Sequence, residues 1–450
     1  MGIYQRARQM AVAAVCLSGI AAGATAALPD AASAAACKNI TGSGSTLQTK
    51  QQELWSEKWK AGGSPKCSAG VTVGYNSGTL GGIGSGQGLQ EWGMPGKKLE
   101  PKLASTEKLD AFVGTDDPPT RSLLLEGKEA SESWVLTVPV VAAPVAALVH
   151  LPEGTCTYTA PASLNVTQKE LNEVWLGKFA NWKALLEHWK FTGVAAACES
   201  LTIKHKVRSD SSGTSFAFKN WLCEIEGGAT KCPKWEEKAE ILTDAAVWPA
   251  ATSAETEYEE AGKHANKGSG GEIKAVEKTE GSVGYVNFAN AKAEGGFAKY
   301  SSTAKKFWLK IEDKSGEFAE PGTSTGAGNC PTGLTSTQKA ALPSIKAGED
   351  TAEWSKFHLS STAVEEGKYA GCTLTYDELW EKYLTTILEK EANYGSATLA
   401  GENGETAKNY FLWILGATAG EGQTVIAEGY TKLPTEVQKK AKETAELVVV

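Results

Sequence analysis

Short apolar runs alternate with glycine- and serine-rich segments through the first part of the chain. Residues 71–75 and 111–114 have the length and composition of β-strands, and a polar loop follows each of them. Apolar residues at helical spacing occur between such loops, as at Leu54, Trp55 and Trp59. Since the order strand, loop, helix recurs, the pattern predicts an α/β fold built on parallel sheets.

Three loops rich in Gly, Ser and Thr lead into predicted helices, at residues 42–47, 81–88 and 208–214. A helix N-terminus leaves backbone N–H groups unpaired and carries a partial positive charge, so such loops can hold an oxyanion. Any one of them is equally well a plain connection, but three in one chain favour an anion site. None has the spacing of a nucleotide-binding P-loop. The turn at 115–120 places Asp116 at the same end of the strands.

One long apolar segment, residues 135–149, carries Pro139 and Pro144 and therefore suits a buried connection between two lobes better than a helix. Thr167 and Glu170 form a capping box that opens a helix. The remaining predictions are strands at 201–207 and 281–286, surface loops within 225–280, loops and a return connection over 313–370, and helices at 376–391, at 405–415 and after Pro434, the last capped by Thr435 with Gln438.

The composition is that of a soluble globular protein larger than one ordinary core, with 450 residues of which 41% are hydrophobic and 22% charged. The net charge is −8 and the basic residues are dispersed, so we expect no nucleic-acid partner. Residues 1–36 have the features of a secretory signal peptide, because Arg6 and Arg8 precede an apolar run and small residues with several cleavage motifs follow. We expect the mature protein to be exported, whether periplasmic, held at the cell surface or secreted.

Cysteine usage agrees with export. Cys16 lies within the predicted signal, and the even number that remains favours disulfides. Closing the loops between neighbours in sequence gives the pairs Cys37–Cys67, Cys156–Cys198, Cys223–Cys232 and Cys330–Cys372. A zinc site is the rival interpretation, but no C-x-x-C pair occurs and the histidines are scattered singly, so we expect no metal. Cys37 could instead carry a lipid, although the alanines before it lack the large aliphatic residue expected there.

Arginine is scarce. Outside the predicted signal only Arg121 and Arg208 occur, against 41 lysines in the chain. Arg208 opens the third loop, where its planar fork can bind two oxygens of one anion as lysine cannot. A surface ion pair is the alternative role for Arg208. Arg121 follows two prolines near Asp116, where a lid or a structural ion pair is the only role we can suggest.

Five polar segments occur in a fixed order along the chain: residues 42–47 (GSGSTL), 82–88 (GIGSGQG), 114–118 (GTDDP), 208–216 (RSDSSGTSF) and 281–286 (GSVGYV). In sequence and in order they resemble the periplasmic phosphate-binding proteins of phosphate ABC transporters. The segment 208–216 is the specific part of the resemblance. Weaker matches at 174–178 and 429–434 extend it over nearly the whole mature chain, whereas 225–270 and 313–370 align poorly.

The resemblance implies a two-lobed α/β fold of the periplasmic-binding-protein type, with crossover hinge strands and a ligand cleft between the lobes. Lobe I would comprise residues 37–139 and return within 316–450, and lobe II would comprise 140–315. Carried over residue by residue, the resemblance implies that an anion is held by donors from Thr46, Leu47, Ser85, Ser212, Gly213 and Thr214.

Two charged residues complete this implied site. Arg208 would supply positive charge, and Asp116 would accept a hydrogen bond from a phosphate hydroxyl, which sulfate lacks. Leu47 stands where the family often has an aromatic residue, a change that leaves its backbone donor intact. Asp117 adds a second acid beside Asp116 and alters the charge balance of the site.

The expected function is that of a monomeric extracytoplasmic solute-binding protein, neither an enzyme nor a carrier of a cofactor, which captures inorganic phosphate and delivers it to an ABC permease. One alternative is a secreted phosphatase with Ser45, Ser85 or Ser212 as nucleophile, but no histidine lies near these residues in sequence. Another is a binding protein for sulfate, molybdate or tungstate, against which Asp116 argues.

Overall fold

The computed structural model describes residues 36–62, 67–76, 84–100, 109–227, 248, 254–255, 259–260, 263–264, 266–294, 296–347, 353–359, 365–391 and 396–450. These residues belong to one compact unit. Nearly all of the predicted signal peptide lies outside them, as do Cys232 and the first residues of the second glycine loop. Within the described part of the chain, no helix has both the length and the apolar character of a membrane span.

The strands of this unit range from two to sixteen residues. In chain order they are β1 (Ile40–Gly44), β2 (Val73–Tyr75), β3 (Phe112–Thr115), β4 (Val135–His150), β5 (Lys204–Lys206), β6 (Ala254–Glu255), β7 (Glu259–Glu260), β8 (Lys263–His264), β9 (Ser282–Asn287), β10 (Ala298–Lys299), β11 (Lys306–Trp308), β12 (Ile311–Glu312), β13 (Phe318–Ala319) and β14 (Cys372–Trp380).

The α-helices of the described residues lie mainly between these strands. In chain order they are α1 (Thr49–Lys60), α2 (Ser85–Glu91), α3 (Arg121–Ser131), α4 (Gln168–Trp175), α5 (Trp182–His188), α6 (Gly213–Ile225), α7 (Gly268–Lys278), α8 (Phe288–Ala293), α9 (Ser336–Ala340), α10 (Thr386–Glu391), α11 (Ala397–Ile414) and α12 (Thr435–Glu446). Short 3-10 turns occur at Ala196–Ser200 and Gly422–Thr424.

One sheet runs through the unit in the order β2-β1-β3-β14-β4-β9-β5-β6, with β11 also paired to β4. At one side β1 pairs in parallel with β2 and β3, and at the other β5 pairs in parallel with β6 and β9. The strands β4 and β14 run antiparallel to their neighbours in the middle. The sheet is therefore mixed: its two outer groups are parallel, as predicted, and the strands between them are antiparallel.

The long strand β4 joins the two parallel groups. Residues up to Pro144 pair with β14, and residues from Val145 onward pair with β9. All of β4 is buried, which confirms the prediction of a buried, non-helical segment. Proline cannot donate to a ladder. Pro139 lies where the β4–β14 register shifts, and Pro144 lies where β4 changes partner, so neither interrupts a regular stretch.

The helix predicted at 376–391 is wrong over most of its length. Residues through Trp380 belong to β14, and only Thr386–Glu391 is helical. The segment that begins at Cys372 contains threonines and aromatic residues, and its burial between β3 and β4 outweighs the helical spacing of its later apolar positions. The segment 225–280, within which we expected surface loops, also contains a helix that the sequence pattern did not reveal, α7 at Gly268–Lys278.

The predicted helix starts are borne out at one position and shifted at another. Thr167 caps α4 in a capping box with Glu170, as predicted. At α12 the cap is Pro434, and Thr435 is already the first helical residue. The predicted helix at 405–415 is part of the longer α11.

Three of the four predicted disulfides are present: Cys37–Cys67, Cys156–Cys198 and Cys330–Cys372. Cys223 is also disulfide-bonded, while its predicted partner Cys232 lies outside the described residues. Because Cys37 is bonded to Cys67, the structure favours the disulfide over the lipid at this position.

Two adjacent acids of β14 are buried at the centre of the sheet. Asp377 accepts hydrogen bonds from Gln48 at 2.9 Å and from Gln52 at 2.8 Å. Glu378 accepts one from Thr137 at 2.7 Å through Oε2, while its Oε1 has no hydrogen-bond partner among the described residues. Burial raises the pKa of each carboxyl to about 8. Both therefore ionise far less readily in the folded protein than in the unfolded chain.

Replacing Glu378 with Gln should make stability less dependent on pH. The folded-state pKa of Glu378 is about 8 and its ordinary value is 4.5, so the wild-type protein loses free energy of unfolding as pH rises through this window. We expect the melting temperature of Glu378→Gln, relative to wild type, to rise by at least about 2 °C between pH 4.5 and 8, as about 1 kcal/mol would produce. Circular dichroism melts measure this. Glu57→Gln, an exposed control, should show no such trend, and a constant difference for Glu378→Gln would contradict the prediction.

Candidate anion-binding site

Strand ends and polar loops from both sides of the sheet meet at Asp116. Strands β1 and β3 are parallel neighbours, and Gly44 pairs with Gly114 at their carboxyl ends. Asp116 follows directly after β3. Of the predicted loop 42–47, the first three residues form the end of β1, and residues 45–47 come after it. Parallel strands end at the same edge of a sheet, so the pairing of β1 with β3 brings these two loops together.

Each of the three predicted loops supplies a direct contact to Asp116. Ser45 Oγ donates to Asp116 Oδ1 at 2.5 Å, and Thr214 Oγ1 donates to Oδ2 at 3.1 Å. The backbone N–H of Asp116 donates to Ser85 Oγ at 3.2 Å. The aspartate side chain is thus held by hydroxyl donors, and the residue is only 2% exposed.

The electrostatic state of Asp116 reflects opposing effects. Burial raises its pKa to about 6, although hydrogen bonds from Ser45, Thr375 and Thr214 and the charge of Arg208 act to lower it. Burial and the charge of Asp116 raise the pKa of the neighbouring Asp117 to about 7. The second acid noticed in the sequence therefore titrates near neutral pH and is linked to the first.

Arg208 is buried within electrostatic reach of this carboxylate and forms an ion pair with Asp210, to which no role was assigned from the sequence. Its Nε donates to Asp210 Oδ1 at 2.6 Å, and a terminal guanidinium nitrogen donates to Asp210 Oδ2. Although burial lowers the pKa of Arg208, the charge of Asp210 raises it overall, so the guanidinium stays charged. The ion pair considered as an alternative role is present, with Asp210, but it is buried, because Arg208 is 2% exposed.

The third loop approaches the other two through backbone contacts. Ser212 caps α6 by accepting from the N–H of Ser215 at 3.2 Å, so the N-terminus of α6 points into the cluster of loops. A Cβ added to Gly213 would lie 2.6 Å from Ser85 Oγ and 2.8 Å from the backbone nitrogen of Asp116. Only glycine permits this approach.

The two remaining predicted residues lie in the first loop and face different ways. The side chain of Leu47 is fully buried, and its N–H donates to Ser45 Oγ at 3.1 Å. Its carbonyl accepts hydrogen bonds from Tyr430 and Asn287. Thr46 Oγ1 instead accepts from the N–H of Ser269 at 3.1 Å. The structure thus gathers six of the seven other predicted residues around Asp116: Ser85, Gly213 and Thr214 approach it directly, Leu47 contacts Ser45, Arg208 acts on its charge, and Ser212 caps the helix that begins at Gly213. Thr46 lies at the rim.

A fourth glycine loop, missed in the sequence analysis, forms this rim. Residues 268–271 (GSGG) open α7 within the segment assigned to surface loops. The N–H of Gly268 donates to Asp210 Oδ1 at 3.2 Å, and Ser269 contacts Thr46. The same signal that identified the other loops, a Gly/Ser run before a helical stripe at Ile273 and Val276, is present here. The surrounding polar, glutamate-rich sequence concealed it.

A cavity of about 570 Å³ lies outside the loops. Thr46 and Asp210 line it together with Lys50, Lys267 and Glu294, and Lys50 forms an ion pair with Glu294 at 3.1 Å. Of the predicted site residues, Thr46 is the one that lines this cavity. The loops around Asp116 are therefore packed against one another, and this cavity lies at their outer edge.

Comparison with known proteins identifies the family. Residues 29–329 match the model of the PBP superfamily domain, and the chain belongs to this superfamily. The phosphate-binding protein PstS of Xylella fastidiosa (strain Temecula1) is 23% identical over 401 residues, which cover 88% of this chain and 86% of that protein. PstS of Haemophilus influenzae is 25% identical over 298 residues, covering 64% of this chain. The matches span 66% of the Haemophilus protein and 63% of the Pasteurella multocida PstS, slightly less than two thirds of each.

Solved structures agree on the fold. A phosphate-binding protein from Stenotrophomonas maltophilia is 17% identical, with a TM-score of 0.55 and coverage of 90% of this chain and 93% of that one. A DING protein is 18% identical, with a TM-score of 0.51 and coverage of 89% and 93%. The predicted class, an α/β fold of the periplasmic-binding-protein type, is confirmed.

Gly213→Ala tests the close packing of the loops. The added methyl group would meet Ser85 and the Asp116 backbone, so we expect a loss of about 1–3 kcal/mol in free energy of unfolding. Gly401→Ala is the matched control, because Gly401 lies within helix α11 with nothing near its missing Cβ and should gain up to about 1 kcal/mol. Urea unfolding measures both. Equal stabilities for Gly213→Ala and wild type would show that the loops are not tightly packed.

Proposed function

We propose that this chain is a solute-binding protein that captures inorganic phosphate at the loops around Asp116. The observation that supports this most strongly is a buried carboxylate, Asp116, within electrostatic reach of a buried arginine and at the N-terminus of a helix. Donor groups and a positive charge attract an anion, whereas the carboxylate accepts only an anion that brings its own proton. Phosphate near neutral pH keeps at least one hydroxyl.

The ligand would sit among the groups that now hold Asp116. Hydroxyls of Ser85 and Thr214 and backbone N–H groups of residues 46–47 and 212–214 form the donor set. Arg208, oriented by Asp210, directs its remaining N–H groups towards the same anion. Accepting a hydrogen bond from the phosphate hydroxyl gives Asp116 a charge-assisted contact worth about 1.5–3 kcal/mol.

Closure of two lobes and delivery to an ABC permease belong to the same proposal. Lobe I, residues 37–139 with part of 316–450, would carry the loops of β1 and β3, and lobe II, residues 140–315, would carry Arg208 and the start of α6. Support comes from the resemblance of the motifs, from the shared superfamily and from relatives described as phosphate-binding proteins. Disulfides and the signal-like N-terminus support export.

Phosphate and sulfate titrations test the proposal at Asp116. The wild-type protein should bind phosphate and exclude sulfate by a factor on the order of 10⁴, because sulfate cannot donate to the carboxylate. Asp116→Asn should keep measurable phosphate binding and lower the ratio of the sulfate to the phosphate Kd at least about 100-fold. Calorimetric titration at pH 8 measures both constants.

Two controls sharpen this test. Asp117→Asn removes the same charge one residue away and should change the ratio far less. Burial raises the pKa of Asp116 to about 6, so wild-type affinity for sulfate should increase as pH falls below about 6, where Asp116 is protonated and can donate, and Asp116→Asn should not show this increase. Wild-type protein that binds sulfate as well as phosphate at pH 8 would refute the proposed function.

Arg208→Lys should weaken phosphate binding at least about tenfold. A point charge replaces a fork that Asp210 orients, so bidentate contact with the anion is lost while the positive charge remains. The melting temperature of the ligand-free protein should change little, since lysine can still pair with Asp210. Arg121→Lys makes the same exchange at the other arginine of the mature chain, which lies exposed at the start of α3, and should leave the Kd within about twofold. An unchanged Kd for Arg208→Lys would exclude Arg208 as an anion ligand.

A further inference from the structure

The disulfide Cys330–Cys372 closes a loop to which the sequence analysis could assign no role. Within this loop, residues 353–359 contribute buried aromatic side chains, with Trp354 fully buried and Phe357 2% exposed. Trp354 packs against Phe357 with ring centroids 5.5 Å apart and against Tyr376 of β14 at 6.0 Å. The segment is therefore part of the protein core and not a surface excursion.

This segment and Asp116 border the same small cavity. A cavity of only about 10 Å³ is lined by Asp116 and by Phe357, His358 and Leu359, which we call the rear wall. His358 also faces Phe216 of α6, with ring centroids 6.5 Å apart. A space of this size holds about one water molecule at most, so bulk solvent does not reach Asp116 from this side.

The rear wall presents no charge to Asp116. Two of its residues are hydrocarbon, and burial lowers the pKa of the third, His358, to about 4, so its imidazole is neutral near neutral pH. In surroundings of low dielectric constant, both the repulsion between Asp116 and an unprotonated anion and the hydrogen bond to a protonated one are stronger than in water. Desolvation by burial is also the largest influence on the pKa of the Asp116 carboxyl.

The disulfide joins the two ends of this loop, one of which is the start of β14. Cys372 is the first residue of β14, four positions before Tyr376, which pairs with Thr115 next to Asp116. At the other end the N–H of Cys330 donates to Thr431 Oγ1 at 3.2 Å, and Tyr369 packs on Trp221 at 5.7 Å. The covalent link thus ties the loop that carries the rear wall to the strand beside Asp116.

We propose that the loop closed by Cys330–Cys372 is a specificity-determining element, whose rear wall keeps water from Asp116 and so enlarges the difference in affinity between a protonated and an unprotonated tetrahedral anion. This inference rests on the proposed function, since it concerns the selectivity of the same site. Opening the disulfide would let the wall separate from Asp116 and let water screen the carboxylate.

The chain offers a matched control for the test. Cys330–Cys372 and Cys156–Cys198 both span 42 residues, and all four cysteines are buried, so their removal releases loops of equal length. Cys330→Ala with Cys372→Ala should lower the ratio of the sulfate to the phosphate Kd at least tenfold, measured by calorimetry at pH 8. Cys156→Ala with Cys198→Ala should leave that ratio within twofold of wild type. Circular dichroism establishes that each variant is folded.

A second pair of variants tests the wall without touching a disulfide. Phe357→Ala opens space next to Asp116 and should lower the ratio at least tenfold, whereas Phe191→Ala, at an equally buried phenylalanine packed on Tyr158, should not. If the first cysteine variant does not fold, this pair decides. The inference is overturned if the ratio of the sulfate to the phosphate Kd is unchanged in Phe357→Ala, or in the variant that lacks Cys330 and Cys372 and still folds. It is equally overturned if the control variants lose as much of that ratio. In each case the binding of phosphate itself is unaffected. Wild-type protein without phosphate affinity refutes the proposed function itself, and the inference with it.

Discussion

A carboxylate withdrawn from water is unfavourable unless donors and positive charge surround it. Asp116 meets this requirement only when residues far apart in sequence come together, because Ser45, Thr214 and Arg208 all stabilise its charged form. Much of the architecture serves this convergence. Parallel pairing of β1 and β3 brings Ser45 near, while the start of α6 must cross from the other side of the sheet. Because these groups offset part of the cost of burial, the pKa of Asp116 is raised only to about 6.

The antiparallel pair β4 and β14 lies next to this site, since β14 pairs with β3 immediately before Asp116. Both strands are buried along nearly their whole length, and β4 also carries β9, the strand that precedes α8. Within the sheet, these two strands connect the parallel groups on either side. Close aromatic packing, such as the stack of Trp92 on Trp380 at 3.7 Å, fixes the helices of one side on the same β14.

Local signals allowed much of this protein to be predicted from its sequence. Loops such as 208–214 can be recognised from their composition, because close approach of two backbones requires glycine and helix starts favour serine. The capping box at Thr167 is equally local. Pairings of distant segments leave no such mark, which is why β14 was assigned to a helix. Asp210, although it lies within the segment 208–216, was given no role for a related reason, since its contact depends on a guanidinium orientation that composition does not reveal.

The prolines of β4 matter before the chain has folded as well as after. A run of sixteen residues that is buried throughout would, in an unfolded chain, be a strong template for intermolecular β-pairing. Pro139 and Pro144 each remove an N–H and fix the local backbone, so they interrupt the run and weaken it as a template for such pairing. Their positions at a register shift and at a change of partner make this protection against aggregation compatible with the native sheet.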